Sequence, residues 1–439
     1  VATEKRQRVL SGMRPTGKLH IGNYFGALPN WLKLQADESN DCYFFVADWH
    51  SLTSDYADTS QIAQNSIEIA TDFLASGLDP NKSTIFQQSQ IPEHAELHLL
   101  LSMVTPLGWL ERVPTYKEAL DNIKEKDLHT YGFLGYPVLQ TADIVIYGEP
   151  NVPLVVPVGE DQVAHVELSR EIVKRFNRFY GIEVSELFLD WFNRSYVVGE
   201  SDSMLPVDEE KLKKFSRGVG TAAAWSFLDS NPKSLTASRE EKIASIRRII
   251  TEEGLENVRH KLGPLGEELN SNDVLREPES MLTQTPRIPG TDGRKMSKSY
   301  NNFIALGEDD ESIRKKTRVM LTDPARKLRT DPGDPDVCPV FSWHKLFSDE
   351  QVQQRIRRDC TTAAIGCVDC KQIMADGLIK WIEPVRACRK EYEFKPGEVL
   401  EILDAGSKKA RAVAQATMAR VREAVFGWNK LRVGLQPRQ

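Results

Sequence analysis

The sequence predicts an α/β protein: a doubly wound parallel sheet, interrupted by a mostly helical insertion and followed by a helical C-terminal region. Three observations carry that prediction. Short runs rich in β-branched and aromatic residues recur early, over residues 8–13, 42–47, 83–86 and 154–158. They are continuously apolar rather than alternating, as strands covered on both faces must be. Each is followed by a helical pattern, the crossover that parallel strands require.

Taken in order, the first strand ends in a Gly/Pro turn that feeds a helix, and Ser60 is placed to cap a helix over 60–76. Residues 160–180 read as a helix with Val163, Val166, Ile172, Val173, Phe176 and Phe179 near one face. After Gly181 the texture changes. Residues 182–276 mix aromatic patches with polar helical stretches such as 238–252, which predicts an inserted, mostly helical module. From 308 onward no strand pattern returns, and 398–425 holds strong helix formers throughout. The expected division is a Rossmann-like domain over 1–181 and 277–307, the module over 182–276, and a helical domain over 308–439.

Composition bounds the function. Of 439 residues, 40% are hydrophobic and 27% charged, which excludes a disordered or collagen-like chain. No apolar run approaches the ~18 residues of a membrane span, and the start, VATEKRQRVL, lacks an apolar secretory core; a soluble, cytoplasmic protein with no membrane partner is expected. Six cysteines are too few for a disulfide scaffold, so clustered ones point to a metal or redox site. The net charge of −6 hides an asymmetry: residues 351–439 carry +7 and the rest −13, so a polyanion would prefer the C-terminal end.

Three constellations carry chemistry. Residues 11–23, SGMRPTGKLHIGN, put small residues at a strand-to-helix turn, where backbone N–H groups and a helix N-terminus suit phosphate. His20 and Asn23, three apart, are expected to project from one face of the first helical turn. Residues 290–299, GTDGRKMSKS, place Lys295 and Lys298 in a Gly/Ser-rich, mobile loop that can set ammonium groups on a transferring phosphate. Cys338, Cys360, Cys367 and Cys370 follow the spacing C-x21-C-x6-C-x2-C; the closing pair brings two thiolates to one metal, and the other two could complete a tetrahedral set. Cys42 and Cys388 are isolated and read as core residues.

His20-Ile21-Gly22-Asn23 and Lys295-Met296-Ser297-Lys298-Ser299, in this order across a sheet domain, resemble the two signatures of class I aminoacyl-tRNA synthetases. Residues 47–50 (ADWH), 136–147 (YPVLQTADIVIY), 156–162 (VPVGEDQ) and 286–301 make the resemblance specific to the bacterial tryptophan–tRNA ligases, and it covers nearly the whole chain outside 182–276. Asn23 stands where the wider class has a second His, while Arg14 and Gln140 replace the Gln and Met of many tryptophan enzymes. The resemblance implies attack of the tryptophan carboxylate on the α-phosphate of Mg-ATP, release of pyrophosphate, and transfer of the acyl group to tRNA(Trp). It assigns the catalytic cations to Lys295, Lys298 and Lys117, and phosphate contact to His20 and Asn23. The ATP site would be completed by Arg14, Pro15, Thr16, Gly22, Gly159, Glu160, Asp161, Ile288, Met296, Ser297 and Ser299. Asp143, alone on an apolar helix, would accept the indole N–H; Tyr136, Gln140, Gln162 and His50 would frame the amino and carboxylate groups, and Val156 and Val158 would wall the ring. It further implies a homodimer, an anticodon-binding role for 308–439, and a [4Fe–4S] cluster on the four cysteines; the residues themselves leave zinc, or four unligated thiols, as the alternatives.

Overall fold

The structure is a computed structural model and describes residues 7–122, 127–185, 188–189, 239–283 and 288–428. Its central sheet has five parallel strands in the order β3-β2-β1-β4-β7: β1 (Gln7–Met13), β2 (Asn40–Val46), β3 (Ser83–Gln87), β4 (Leu154–Val158) and β7 (Pro278–Leu282). Two further strands, β5 (Ile182–Val184) and β6 (Leu269–Ser271), pair antiparallel in a separate ribbon. The sheet grows outward from β1 in one direction and then from β4 in the other. The switch point between β1 and β4 therefore opens a crevice at the carboxyl ends of those two strands, where open α/β sheets bind ligands. β7 has no apolar run because it is an edge strand, half exposed and opened by Pro278.

The first-half helices are α1 (Ile21–Ala36), α2 (Asp48–Asp55), α3 (Ile62–Ala75), α4 (Glu93–Ser102), α5 (Pro114–Asn122), α6 (Tyr136–Val145) and α7 (Val163–Tyr180), with single turns at Leu107–Leu110 and Tyr131–Leu134. Ser60 does not cap α3: its N–H donates to Asp58 Oδ1 at 3.0 Å in a turn before the helix, and Gln61 occupies the N-cap position without a side-chain bond. Alternate strand residues sort to opposite faces, as the pleat dictates. Val9, Cys42, Phe44, Val46 and Ile85 pack with α1 and α3, whereas Leu10, Tyr43, Phe45, Phe86 and Val156 pack with α4, α6 and α7.

Helices α8 (Arg239–Glu253) and α9 (Leu255–Leu262) join the β5–β6 ribbon around their own small core of Ile182, Ile246, Ile250, Val258, Leu262 and Leu269. Residues 190–238, the larger part of the expected module, lie outside the described residues. The C-terminal region is helical: α10 (Asp310–Arg318), α11 (Pro339–Phe347), α12 (Glu350–Thr361), α13 (Cys367–Glu393) and α14 (Pro396–Phe426). It packs directly on the sheet domain. Met374, Leu378 and Ile382 of α13 enter one core layer, and Ala410, Ala414, Met418 and Val421 of α14 enter the other. α14 lies along β3 so closely that a Cβ on Gly406 would stand 1.8 Å from the Ile85 carbonyl oxygen. The helix thereby covers a sheet edge that would otherwise expose its backbone.

Candidate active site

The turn after β1 occupies the crevice. Gly17, at φ +95°, takes a conformation that L side chains rarely adopt, and a Cβ there would approach Lys298 Nζ to 3.5 Å. His20 is the N-cap of α1, in a reciprocal capping box: the Asn23 N–H donates to His20 Nδ1 at 3.1 Å, and the His20 N–H donates to Asn23 Oδ1 at 3.2 Å. The two side chains thus turn back on each other's backbone instead of both projecting outward, as the spacing predicted. Because Nδ1 accepts, the ring proton sits on Nε2. Burial, then the charge of Lys298, pushes the imidazole down to about 4, so it is neutral near pH 7. Ahead of it, the Leu19 N–H donates to Asp72 Oδ2 at 2.6 Å. Asp72 is fully buried, which lifts it to about 6 against the pull of Arg389.

The second motif folds onto the first. Lys298 Nζ donates to the Thr16 carbonyl at 2.8 Å, and burial lowers the ammonium to about 8. A Cβ on Gly22 would meet the His20 ring at 3.0 Å and Met296 Sδ at 3.2 Å, so the glycine lets the motifs pack together. The loop expected to be mobile is stapled at its base by Asn302, whose amide donates to Asp292 Oδ1 and the Lys295 carbonyl and accepts the Ser297 N–H at 2.8 Å. Ile288 and Met296 are buried, Lys295 is exposed, and Ser299 lies in the turn Lys298–Tyr300. Pro15 is buried and Arg14 exposed; burial raises the Tyr136 hydroxyl, and the Thr115 bond and the charge of Arg14 act against that rise.

On α6, Asp143 is the hub of a buried network. Gln88 Nε2 donates to both its oxygens at 2.7 and 2.8 Å, His94 Nδ1 lies 2.6 Å from Oδ1 and His50 Nε2 lies 2.8 Å from Oδ2. Burial alone would raise this carboxyl, but the bonds and charges of His50 and His94 outweigh it and hold it down to about 2. Tyr147, pushed well above its ordinary value by burial and by Asp143, keeps its hydroxyl proton and lies 2.7 Å from His94 Nε2. His94 thus bridges the Tyr147 hydroxyl and the Asp143 carboxylate. A parallel chain joins Tyr136 to Thr115 at 2.6 Å, Thr115 to His165 Nε2 at 2.7 Å, and His165 Nδ1 to Gln140 Oε1 at 2.8 Å. Burial lowers His165, keeping it neutral.

After β4, Gly159 opens the turn Glu160–Gln162, with Glu160 and Asp161 exposed; Gln162 Nε2 donates to Asp161 Oδ2 at 3.2 Å. Val156 and Val158 are buried in the layer shared with Val138 and Ala142 of α6. The structure therefore unites His20, Asn23, Gly22, Thr16, Met296 and Lys298 in one cluster, and Asp143 with His50 in another. Lys117 stands exposed on α5, two residues past Thr115. Sequence reasoning passed over Gln88, His94, Thr115, Tyr147 and His165, because their partners lie far away in the chain, and over Asn302, whose partners are in its own loop. Asp72 carried a readable signal: it is a lone acid in the apolar run over 69–75, as Asp143 is in its own helix.

The cysteines converge from three helices. Cys338 is the N-cap of α11, Cys360 lies near the end of α12, and Cys367 and Cys370 occupy the first turn of α13 after Gly366. Burial, then the fields of Cys338, Cys360 and Cys367, pushes the Cys370 thiol up to about 12. His344 Nε2 lies 3.4 Å from Cys370 Sγ, and Arg326 Nη1 donates to Cys360 Sγ at 3.7 Å. Lys371 instead donates to the Arg318 carbonyl at 3.0 Å. As they stand, no three or more His, Cys, Asp or Glu side chains among the described residues are disposed to hold a single metal ion.

The family model for class I tRNA synthetases (W and Y) matches residues 2–202 and 250–383. The chain is 44% identical to the tryptophan–tRNA ligase of Ralstonia nicotianae, over 95% of this chain and 98% of that one, and 37% identical to that of Aquifex aeolicus, over 95% and 99%. Among solved structures it is similar to a tryptophanyl-tRNA synthetase from Campylobacter jejuni complexed with ADP and tryptophan, with a TM-score of 0.67, 28% identity, and coverage of 95% of this chain and 99% of that one.

Proposed function

The chain belongs to the class I tryptophan–tRNA ligases and joins L-tryptophan to its tRNA through a tryptophanyl-adenylate with release of pyrophosphate, and from that premise we infer how its side chains divide the work. The observation that carries the reading is the contact between the two motifs, Lys298 on Thr16 and Met296 against Gly22, made across some 280 residues of chain. In the first step a tryptophan carboxylate oxygen bonds to the α-phosphorus of ATP while the bond from that phosphorus to the bridging oxygen breaks, and negative charge grows on the departing pyrophosphate. Lys298 and Lys295, with Lys117 as a third cation, meet that charge. The His20 Nε2–H and the free amide N–H groups of Asn23 donate to phosphate oxygens. Mg2+ arriving with ATP neutralises further phosphate charge. Arg14, Pro15, Thr16, Gly22, Gly159, Glu160, Asp161, Ile288, Met296, Ser297 and Ser299 line the nucleotide.

Indole selection falls to Asp143. A carboxylate offers about four lone-pair directions, and four hydrogen bonds from Gln88, His50 and His94 already fill them, so the indole N–H takes the place of one of these donors. Tyr136, Gln140, Gln162 and His50 frame the amino and carboxylate groups, with Val156 and Val158 as the apolar wall. The test is tryptophan-dependent ATP–pyrophosphate exchange without tRNA. Exchange abolished by His20→Ala and Lys298→Ala supports the assignment; exchange untouched by either overturns it.

The division into a catalytic domain (1–181, 277–307), an inserted module (182–276) and an anticodon-binding region (308–439) belongs to the same proposal. Exposed Lys315, Arg318, Lys327, Arg329, Arg355 and Arg358 on that last region suit an RNA backbone. What supports the [4Fe–4S] reading is the donor set: four cysteines on three neighbouring helices, with Arg326 and His344 beside two of the sulfurs as hydrogen-bond donors, although their present placement does not form a closed metal site. Zinc would need the thiolates drawn to about 3.8 Å apart, from a Zn–S bond of about 2.3 Å. Iron and sulfide in anaerobically purified protein would support the cluster, and neither iron nor zinc would reject the site. Among the described residues no helix is long and apolar enough to cross a membrane, and a cytoplasmic homodimer is the assembly proposed.

A further inference from the structure

We propose that Arg389, on the last turns of α13, is a positioning residue for the adenylation step, holding the His20 turn and the segment that returns from the Lys298 loop in one register through Asp72. This rests on the reading of His20–Asn23 as the phosphate site. Arg389 is 1% exposed and Asp72 0%. The guanidinium donates to Asp72 Oδ1 and Glu68 Oε2, and its Nε lies 3.0 Å from Glu393 Oε1. The other Asp72 oxygen accepts the Leu19 N–H at 2.6 Å, one residue before His20. The Leu19 carbonyl in turn accepts the Leu306 N–H at 2.9 Å, and the Ile21 N–H donates to the Ile304 carbonyl at 3.0 Å. Gly307 completes the contact, since a Cβ there would stand 2.9 Å from Arg389 Nε.

A buried ion pair is weak support for stability, because desolvation of both charges offsets their attraction; an apolar pair of the same shape would pack as well. What the pair supplies here is direction. The planar fork of Arg389 fixes the Asp72 carboxylate plane, and that plane fixes the Leu19 amide, one residue before His20. Small misplacements of reacting groups are costly in rate, on the order of a hundredfold for 1 Å.

The test measures pyrophosphate exchange per active site, well below the melting temperature, for Arg389→Gln, Arg389→Lys and Gly307→Ala. The expected result is a fall of about tenfold or more in kcat for Arg389→Gln, partial rescue in Arg389→Lys, and a KM for tryptophan within twofold of the parent. Gly307→Ala, which displaces the guanidinium without removing its charge, should lower kcat in the same way, and it serves if Arg389→Gln fails to fold. Melting temperatures that fall while kcat in these variants stays within twofold would overturn the proposal and leave Arg389 as packing. His20→Ala separates the premise: if that variant retains full exchange, the phosphate-site reading fails, whatever Arg389 does.

Discussion

Tryptophan presents one hydrogen-bond donor on an otherwise apolar bicycle, so discrimination by this site reduces to the placement of one acceptor. Asp143 is held ionised by His50 and His94 and oriented by Gln88 before any ligand arrives. Asp143→Ala should therefore weaken tryptophan by about 1–3 kcal/mol, roughly 5- to 150-fold in KM, with the KM for ATP far less changed. An unchanged tryptophan KM would end the assignment. The same carboxyl has a stability signature. Its pKa is depressed to about 2 in the fold, so its contribution is full above the unfolded value of about 3.9 and is lost as pH falls towards 2. The stability gap between the parent and Asp143→Asn should accordingly shrink over that window, as chemical denaturation at several pH values would measure. Lys298 is an opposite case: burial brings its ammonium to about 8, so it carries its charge below that pH and loses it above. The kcat/KM for ATP should fall as pH rises through about 8, and Lys298→Ala should lower kcat more than it raises the KM for ATP. Asp143 was legible in the sequence because an acid alone in an apolar helix needs a reason. His94 was not, since nothing near position 94 reveals an acceptor 49 residues later.

Elements form where local pattern and tertiary demand agree, and the differences fall where they part. Four strands announce themselves by apolar runs, whereas β7 is half exposed and has none, so only its pairing with β4 identifies it. In α14 the positions Gly406, Ser407, Ala410 and Ala414 read in sequence as ordinary helix; in the fold they are the stripe that brings the helix against β3. Gly406→Ala tests this directly. Elsewhere in a helix, alanine for glycine gains up to about 1 kcal/mol. At Gly406 the new methyl would stand 1.8 Å from a backbone oxygen, so helix and strand must separate, at a cost of about 1–3 kcal/mol. The melting temperature should fall for Gly406→Ala and hold or rise for Gly397→Ala, on the same helix, where a Cβ meets nothing within 4 Å. Equal melting temperatures for the two would show that α14 does not depend on this close approach.

Among the described residues, an apolar surface is left uncovered by the fold. Leu99 (53% exposed) lies on α4 and Met103 (70%) just past its end, Leu107 follows, and Tyr131 stands 6.4 Å from the ring of His98 on α4. A contiguous patch of this kind marks an association surface, and in a twofold dimer it meets its own copy. The inward side of α4 carries His94, Leu97 and Leu101, all fully buried, and His94 is a partner of Asp143. One short helix thus has the proposed dimer contact on one side and the support of Asp143, the proposed indole acceptor, on the other. Met103→Asp places a charge on an exposed position, so the monomer should fold unaltered while the dimer is lost. Sedimentation at micromolar concentration should show the parent as a dimer and the variant as a monomer. Because α4 in the monomer lacks its outer brace, the variant's KM for tryptophan should rise several-fold, with the KM for ATP nearly unchanged. A parent that sediments as a monomer would refute the dimer itself, and a monomeric variant with parental tryptophan KM would show that the two sides of α4 act independently.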